Sequence, residues 1–232
     1  ACLRLASWPA LARPVAPLRP AAAALVGAGV LAFVLALSFA MPSPSSNYDA
    51  VVFLRTIEQG TGGPGRWLLG AWGLQRLAAA LDGIASVRLV VHGANVVLAT
   101  TGLLALCASA HAIARTRFEA FAMDALIATA FGTAQILLGY IDIYPLSLAA
   151  IGGYVWLAVR CLERDAHPVA PALAAALAPF LYIGLVLIGP SILVVLAVVW
   201  RRDGHARRVA TAVGAAVAVA VLATVPVYGE PL

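Results

Sequence analysis

Between Val169 and Trp200 the chain runs for roughly thirty residues without a formal charge. A run of that length in hydrocarbon leaves the backbone one general solution, because every N–H and C=O must then be satisfied within the chain as a helix or a closed barrel. Several further apolar runs repeat the constraint, at Ala21–Met41, Val87–Ala110, Phe118–Leu138, Leu146–Val159 and Val209–Val225. Their lengths suit helices, and none shows the alternation of a barrel strand. The chain therefore reads as an all-α, polytopic membrane protein. With 63% hydrophobic and 11% charged residues and a mean hydropathy of +0.97, it lies far from soluble composition.

The fifteen basic residues are all arginine, which fits a GC-rich bacterial genome, and the net charge of +5 serves as a topology signal. It is not a nucleic-acid footprint, and no nucleic-acid partner is expected. Cys2, Cys107 and Cys161 are scattered without metal spacing and imply no disulfide framework.

Residues 1–20 hold Arg4, Arg13 and Arg19 among four prolines and read as a basic cytoplasmic lead-in. The length of the run Ala21–Met41 favours a first transmembrane helix over a signal peptide. The run Val169–Trp200 is long for one span and short for two. A turn at Gly189–Pro190 would place Arg201, Arg202, Arg207 and Arg208 with the other cytoplasmic arginines, eleven on one side against four on the other. A single crossing would leave seven against eight, so the positive-inside rule selects the hairpin and about seven spans in all.

Residues 42–86 form the first outer loop. Its sequence predicts two juxtamembrane amphipathic helices joined by the glycine-rich turn Gly60–Gly65. The first would be capped by Ser46 or Asn47 and carries Asp49 in its first turn. The second, with Leu74, Leu77 and Leu81 on one face and Trp67, Trp72, Arg66 and Arg76 suited to headgroups, ends at Asp82–Gly83. A first-turn Asp also suits the helix dipole whatever the protein does. The second outer loop, residues 139–145, sets Asp142 between Tyr140 and Tyr144. Those tyrosines can bind a sugar or a phosphate, or equally cap the loop. His92 and Asn95, early in the second span, are candidates for substrate contact or for helix packing. Asp124 lies inside the third span, with Arg115 or Arg117 as its expected partner.

Asp49 and Asp142 thus fall on the same, extracytoplasmic side. Two convergent loop carboxylates over a membrane suit glycosyl transfer: one takes the acceptor proton, and the other orients the substrate or holds a divalent ion. A donor outside the cytoplasm would be lipid-linked.

In this respect the whole chain resembles the GT-C superfamily of integral membrane glycosyltransferases, whose seven-helix module has a long first outer loop with a catalytic Asp soon after the first span. Asp49 of Asn47–Ala50 holds that place, and Asp142 of Tyr140–Tyr144 matches by position. The resemblance implies one transmembrane module over residues 1–232, in a bacterial cell (inner) membrane, moving a sugar from a polyprenyl-phosphate donor to a glycan, lipid or protein acceptor. It implies Asp49 and Asp142 as catalytic carboxylates and Tyr48, Arg55, His92, Tyr140 and Tyr144 as substrate-binding residues. Neither loop holds an Asp-x-Asp or Asp-Glu pair, so magnesium or manganese is left open. Most members continue beyond the seventh span, which makes this chain resemble a trimmed portion. The alternative is a transporter portion or a non-catalytic subunit, and an internal repeat would favour it.

Overall fold

The computed structural model describes residues 20–40, 48–59, 68–129, 144–163, 166–203 and 206–228. Those residues form helices α1 (Pro20–Ala40), α2 (Tyr48–Glu58), α3 (Leu68–Ala80), α4 (Val87–Ile113), α5 (Arg117–Thr129), α6 (Tyr144–Glu163), α7 (Val169–Leu181), α8 (Gly189–Asp203) and α9 (Ala206–Tyr228). A 3₁₀ segment, Ile183–Ile188, precedes α8. No strand occurs among the described residues. Four stretches are long and apolar enough to cross a membrane: Val87–Ile113, Tyr144–Glu163, Gly184–Arg202 and Ala206–Thr224. Among the described residues, four of the expected spans therefore meet this length and composition. Helix α7 has 13 residues, or about 20 Å of rise at 1.5 Å per residue, short of the hydrocarbon thickness.

The centre of the bundle is the crossing of α4 and α6, the most extensive helix contact. Gly102 and Gly152 make it possible. A Cβ at Gly102 would lie 2.5 Å from the Leu148 carbonyl oxygen, and one at Gly152 would collide with the Gly102 carbonyl. Small residues at a crossing let backbones approach, which is how helices gain packing energy where lipid removes the hydrophobic drive. The same device recurs where α7 meets α9, through Ala172 and Ala175 against Val209 and Ala212. Large side chains point the other way: Leu126, Leu187, Leu193 and Leu222 are each more than 60% exposed, a surface made for lipid.

Helices α4 and α6 run parallel, since Gly102 meets Gly152 while Ala108 and Ala112 face Trp156 to Glu163 one end further on. At that end Arg202 donates from Nη1 to the Leu162 carbonyl at 2.7 Å, closing the C-terminus of α6 with a cation. Cys161, Val199 and Val209 pack there as well, so α6 and α8 end, and α9 begins, together. Helix α7 leaves that end and reaches the opposite one at Tyr182. The chain reversal within the long uncharged run thus exists but sits earlier than expected. Tyr182 adopts an extended backbone (φ −157°, ψ 129°), the 3₁₀ segment makes the bend, and Gly189–Pro190 opens α8 rather than forming the turn. Proline lacks an N–H that a first helical turn would leave unpaired anyway, so it serves better as a helix start than as the bend.

Local capping explains the remaining boundaries. Ser86 accepts from Leu89 N–H at the start of α4. Thr116 and Glu119 form a capping box at α5: Thr116 Oγ1 accepts from Glu119 N–H at 3.2 Å, and Glu119 Oε2 accepts from the N–H groups of Thr116 and Arg115. Helix α3 ends at Ala80, two residues short of the expected Asp82–Gly83, which lie in the turn that follows, where Gly83 takes φ 78°, open to glycine without a Cβ penalty. Asp124 departs from expectation. It pairs with His111, Nε2 to Oδ2 at 2.6 Å, instead of with Arg115 or Arg117. The helical register accounts for this, because the last turn of α4 faces the second turn of α5, whereas Arg115 and Arg117 sit at the connection itself.

Candidate functional site

The end of the bundle opposite the Arg202–Leu162 contact gathers the segments that carry most of the candidate residues. Phe53 and Ile57 of α2, Ala71, Leu74 and Ala78 of α3, and Val90 and Val91 of α4 form one buried cluster, with Leu146 of α6 and Tyr182 packed against it. Phe53 and Val91 are wholly buried, so α2 is anchored on the first turns of α4 and is not a free surface helix. Tyr48 and Asp49 are the first two residues of α2, and Arg55 lies in its last turn, exposed. Asp142 and Tyr140 lie outside the described residues. Helix α6, however, begins at Tyr144, two positions after Asp142, and its first turn packs into the cluster that holds α2.

Beside this cluster runs an open groove of about 450 Å³, lined by Leu69, Gly70, Gly73, Leu74 and Leu77 of α3, Ala94, Val97 and Leu98 of α4, Leu146 of α6 and Leu181 of α7. Its walls are aliphatic throughout, and the glycines widen it on the α3 side. Tyr144 and Tyr182 meet edge to face with centroids 6.3 Å apart, directly beyond the lining residues Leu146 and Leu181. Tyr144 is 45% exposed, so its ring is available at this margin. Trp72, half exposed, carries the Arg76 guanidinium 5.3 Å above its ring, a pairing suited to headgroup depth.

His92 takes a different place. It is buried, as are Asn95 on the next turn and Ser147 at the start of α6, and it does not line the groove. The Thr100 hydroxyl, also buried on α4, has no hydrogen-bond partner among the described residues.

Two features escape sequence reasoning. Tyr182 joins Tyr144 only because α7 is short enough to return the chain to the start of α6; the sole signal was an aromatic residue ahead of Gly184 inside an apolar run. At the other end, His111 and Asp124 join α4 to α5 with Cys107 beside the carboxylate, and Trp156, Arg160 and Glu163 line a cleft with Ala108 and Ala112. The signal there was an i, i+4 Cys–His pair, ambiguous without knowing which helix faces it. Among the described residues no group of three His, Cys, Asp or Glu side chains has the geometry to hold a metal ion. No protein-family model, no curated protein and no solved structure matches this chain.

Proposed function

We propose that this chain is the membrane module of a glycosyltransferase that takes its sugar from a polyprenyl-phosphate donor and works at the extracytoplasmic face. The observation that carries this reading is the aliphatic groove of about 450 Å³, which shares Leu74 and Leu146 with the cluster that holds the helix beginning with Tyr48 and Asp49. An isoprenoid tail needs such a channel of Leu, Val and Ala with no hydrogen-bonding demand, ending where its phosphate meets polar groups. The amino termini of α4 and α6 lie at that end and supply partial positive charge for the phosphate, and exposed Arg55, Arg76 and Arg88 add full charges.

Sidedness rests on the arginines. Arg115, Arg117, Arg160, Arg201, Arg202, Arg207 and Arg208 stand at the far end, seven among the described residues, against those three at the groove end. The positive-inside rule then makes the groove end extracytoplasmic, in a bacterial cell membrane with α1, α5 and α7 completing seven spans. In the reaction, Asp49 takes the acceptor proton, the acceptor oxygen bonds to the anomeric carbon, and the bond from that carbon to the phosphate oxygen breaks. Polyprenyl phosphate leaves with the electron pair. Asp142, Tyr140 and Tyr144 hold sugar and phosphate.

The test is release of polyprenyl phosphate by the chain in liposomes given a polyprenyl-phosphate sugar and extracted membrane glycans as acceptor. Sugar-dependent release is expected. Binding of the donor without any turnover would favour the non-catalytic alternative.

A further inference from the structure

At the arginine-rich end, α4 and α6 enclose a cleft of about 200 Å³ lined by Ala108, Ala112, Trp156, Val159, Arg160 and Glu163. Its charge pattern is unusual for a helix surface. Arg160 and Glu163 are three residues apart on α6, a spacing at which opposite charges commonly pair. Yet, among the described residues, neither enters an ion pair or a side-chain hydrogen bond; the Arg160 guanidinium lies instead over the Trp156 ring at 4.8 Å. Among the described residues, the cleft therefore presents a cation and an anion that are not paired with each other, both exposed, beside an apolar floor. Ala108 and Ala112, one turn apart on α4, provide the room, since larger side chains there would fill it. Of the described charges nearby, Glu119 is engaged in the α5 cap, Asp124 holds His111, and Arg202 is bound to the Leu162 carbonyl.

We propose that this cleft binds the headgroup of an ethanolamine phospholipid, with its phosphate on Arg160 and its ammonium on Glu163. The spacing fits the chemistry. Phosphate and amine in this headgroup are joined by only two methylenes, so one molecule can reach two side chains that leave neighbouring turns of α6, their Cβ atoms roughly 5–6 Å apart. A purely anionic headgroup would meet Glu163 with repulsion, and a choline headgroup could not donate hydrogen bonds to it. Trp156 and Val159 supply the apolar contact for the glycerol and upper chains, at the depth where tryptophan prefers to sit.

The experiment is native mass spectrometry of the full chain in mild detergent, titrated with phosphatidylethanolamine, phosphatidylglycerol and phosphatidylcholine of identical acyl chains. The expected result is one retained lipid with ethanolamine preferred over both others. Arg160→Gln and Glu163→Gln should each weaken its binding on the order of tenfold, as charge-assisted contacts do, with unchanged thermal midpoints in lipid-free detergent. Ala112→Leu, which keeps both charges and fills the cleft, should also weaken it. Equal binding of the three lipids, preference for phosphatidylglycerol, or undiminished binding in all three variants would overturn the proposal. Competition by soluble glycerophosphoethanolamine at equal concentration would reassign the cleft to a soluble ligand and overturn the lipid assignment.

Discussion

Asp49 is the residue on which the enzymatic reading turns, and its two explanations differ by orders of magnitude. As a general base it contributes about 10² to 10⁴-fold, or about 3–5 kcal/mol of barrier. As a first-turn dipole or capping residue it contributes a few tenths to ~1 kcal/mol of stability and nothing to turnover. Asp49→Asn keeps size and capping ability while removing basicity. The expected outcome is a fall in sugar transfer of at least ~10²-fold with a melting temperature close to the unsubstituted chain, measured side by side in lipid. Near-unchanged turnover would take Asp49 out of the chemistry. His92 is buried, so its replacement is to be measured in stability as well as in turnover.

At the scale of elements, the α4–α6 crossing carries most of the bundle, and it depends on two hydrogen atoms. A methyl at Gly152 would press on the Gly102 backbone, which cannot swing aside as a side chain would. Gly152→Ala should therefore lower stability by about 1–3 kcal/mol, in the range of overpacked cores. Gly153→Ala is the control, since its Cβ would meet nothing within 4 Å. There the gain in helix propensity should leave stability unchanged or raise it by about 0.5–1 kcal/mol. Thermal unfolding of both variants in the same detergent decides the matter; equal effects would mean that the crossing is looser than the structure has it. The close approach also fixes register, and with it the packing of Leu146, which lines the groove, against the cluster that holds α2.

For the whole molecule, sidedness is the property everything else depends on. With the native cysteines replaced, a single cysteine at Gln59 or at Tyr144, both exposed at the groove end, should react with an impermeant thiol reagent from outside intact cells. One at Ala206, exposed between Arg202 and Arg207, should not. Ser147 is a poor site for this purpose because it is buried. Strong external labelling at Ala206 would invert the molecule and place the groove and α2 in the cytoplasm, where nucleotide sugars are available and a lipid-linked donor loses its rationale.

The sequence by itself determined the class and the elements. Uncharged runs of hydrocarbon length admit only helices, the breaks at Pro42, Pro44, Gly60–Gly65 and Asp82–Gly83 mark off two amphipathic helices, and the arginine count requires the run Val169–Trp200 to turn back. These are local properties, legible because propensity and periodicity act within a few residues. Tertiary structure alone decided who meets whom. Nothing in the order of residues shows that Asp124 would find His111 in place of an arginine, that Tyr182 would face Tyr144, or that Phe53 of α2 would be buried in one cluster with Val91 of α4. Nor does it show that the reversal would occur ahead of Gly189–Pro190. Those outcomes depend on the rotation and separation of packed helices, which residues on different helices set jointly, as Gly102 and Gly152 do at the α4–α6 crossing, and joint constraints of that kind leave no periodic trace along the chain.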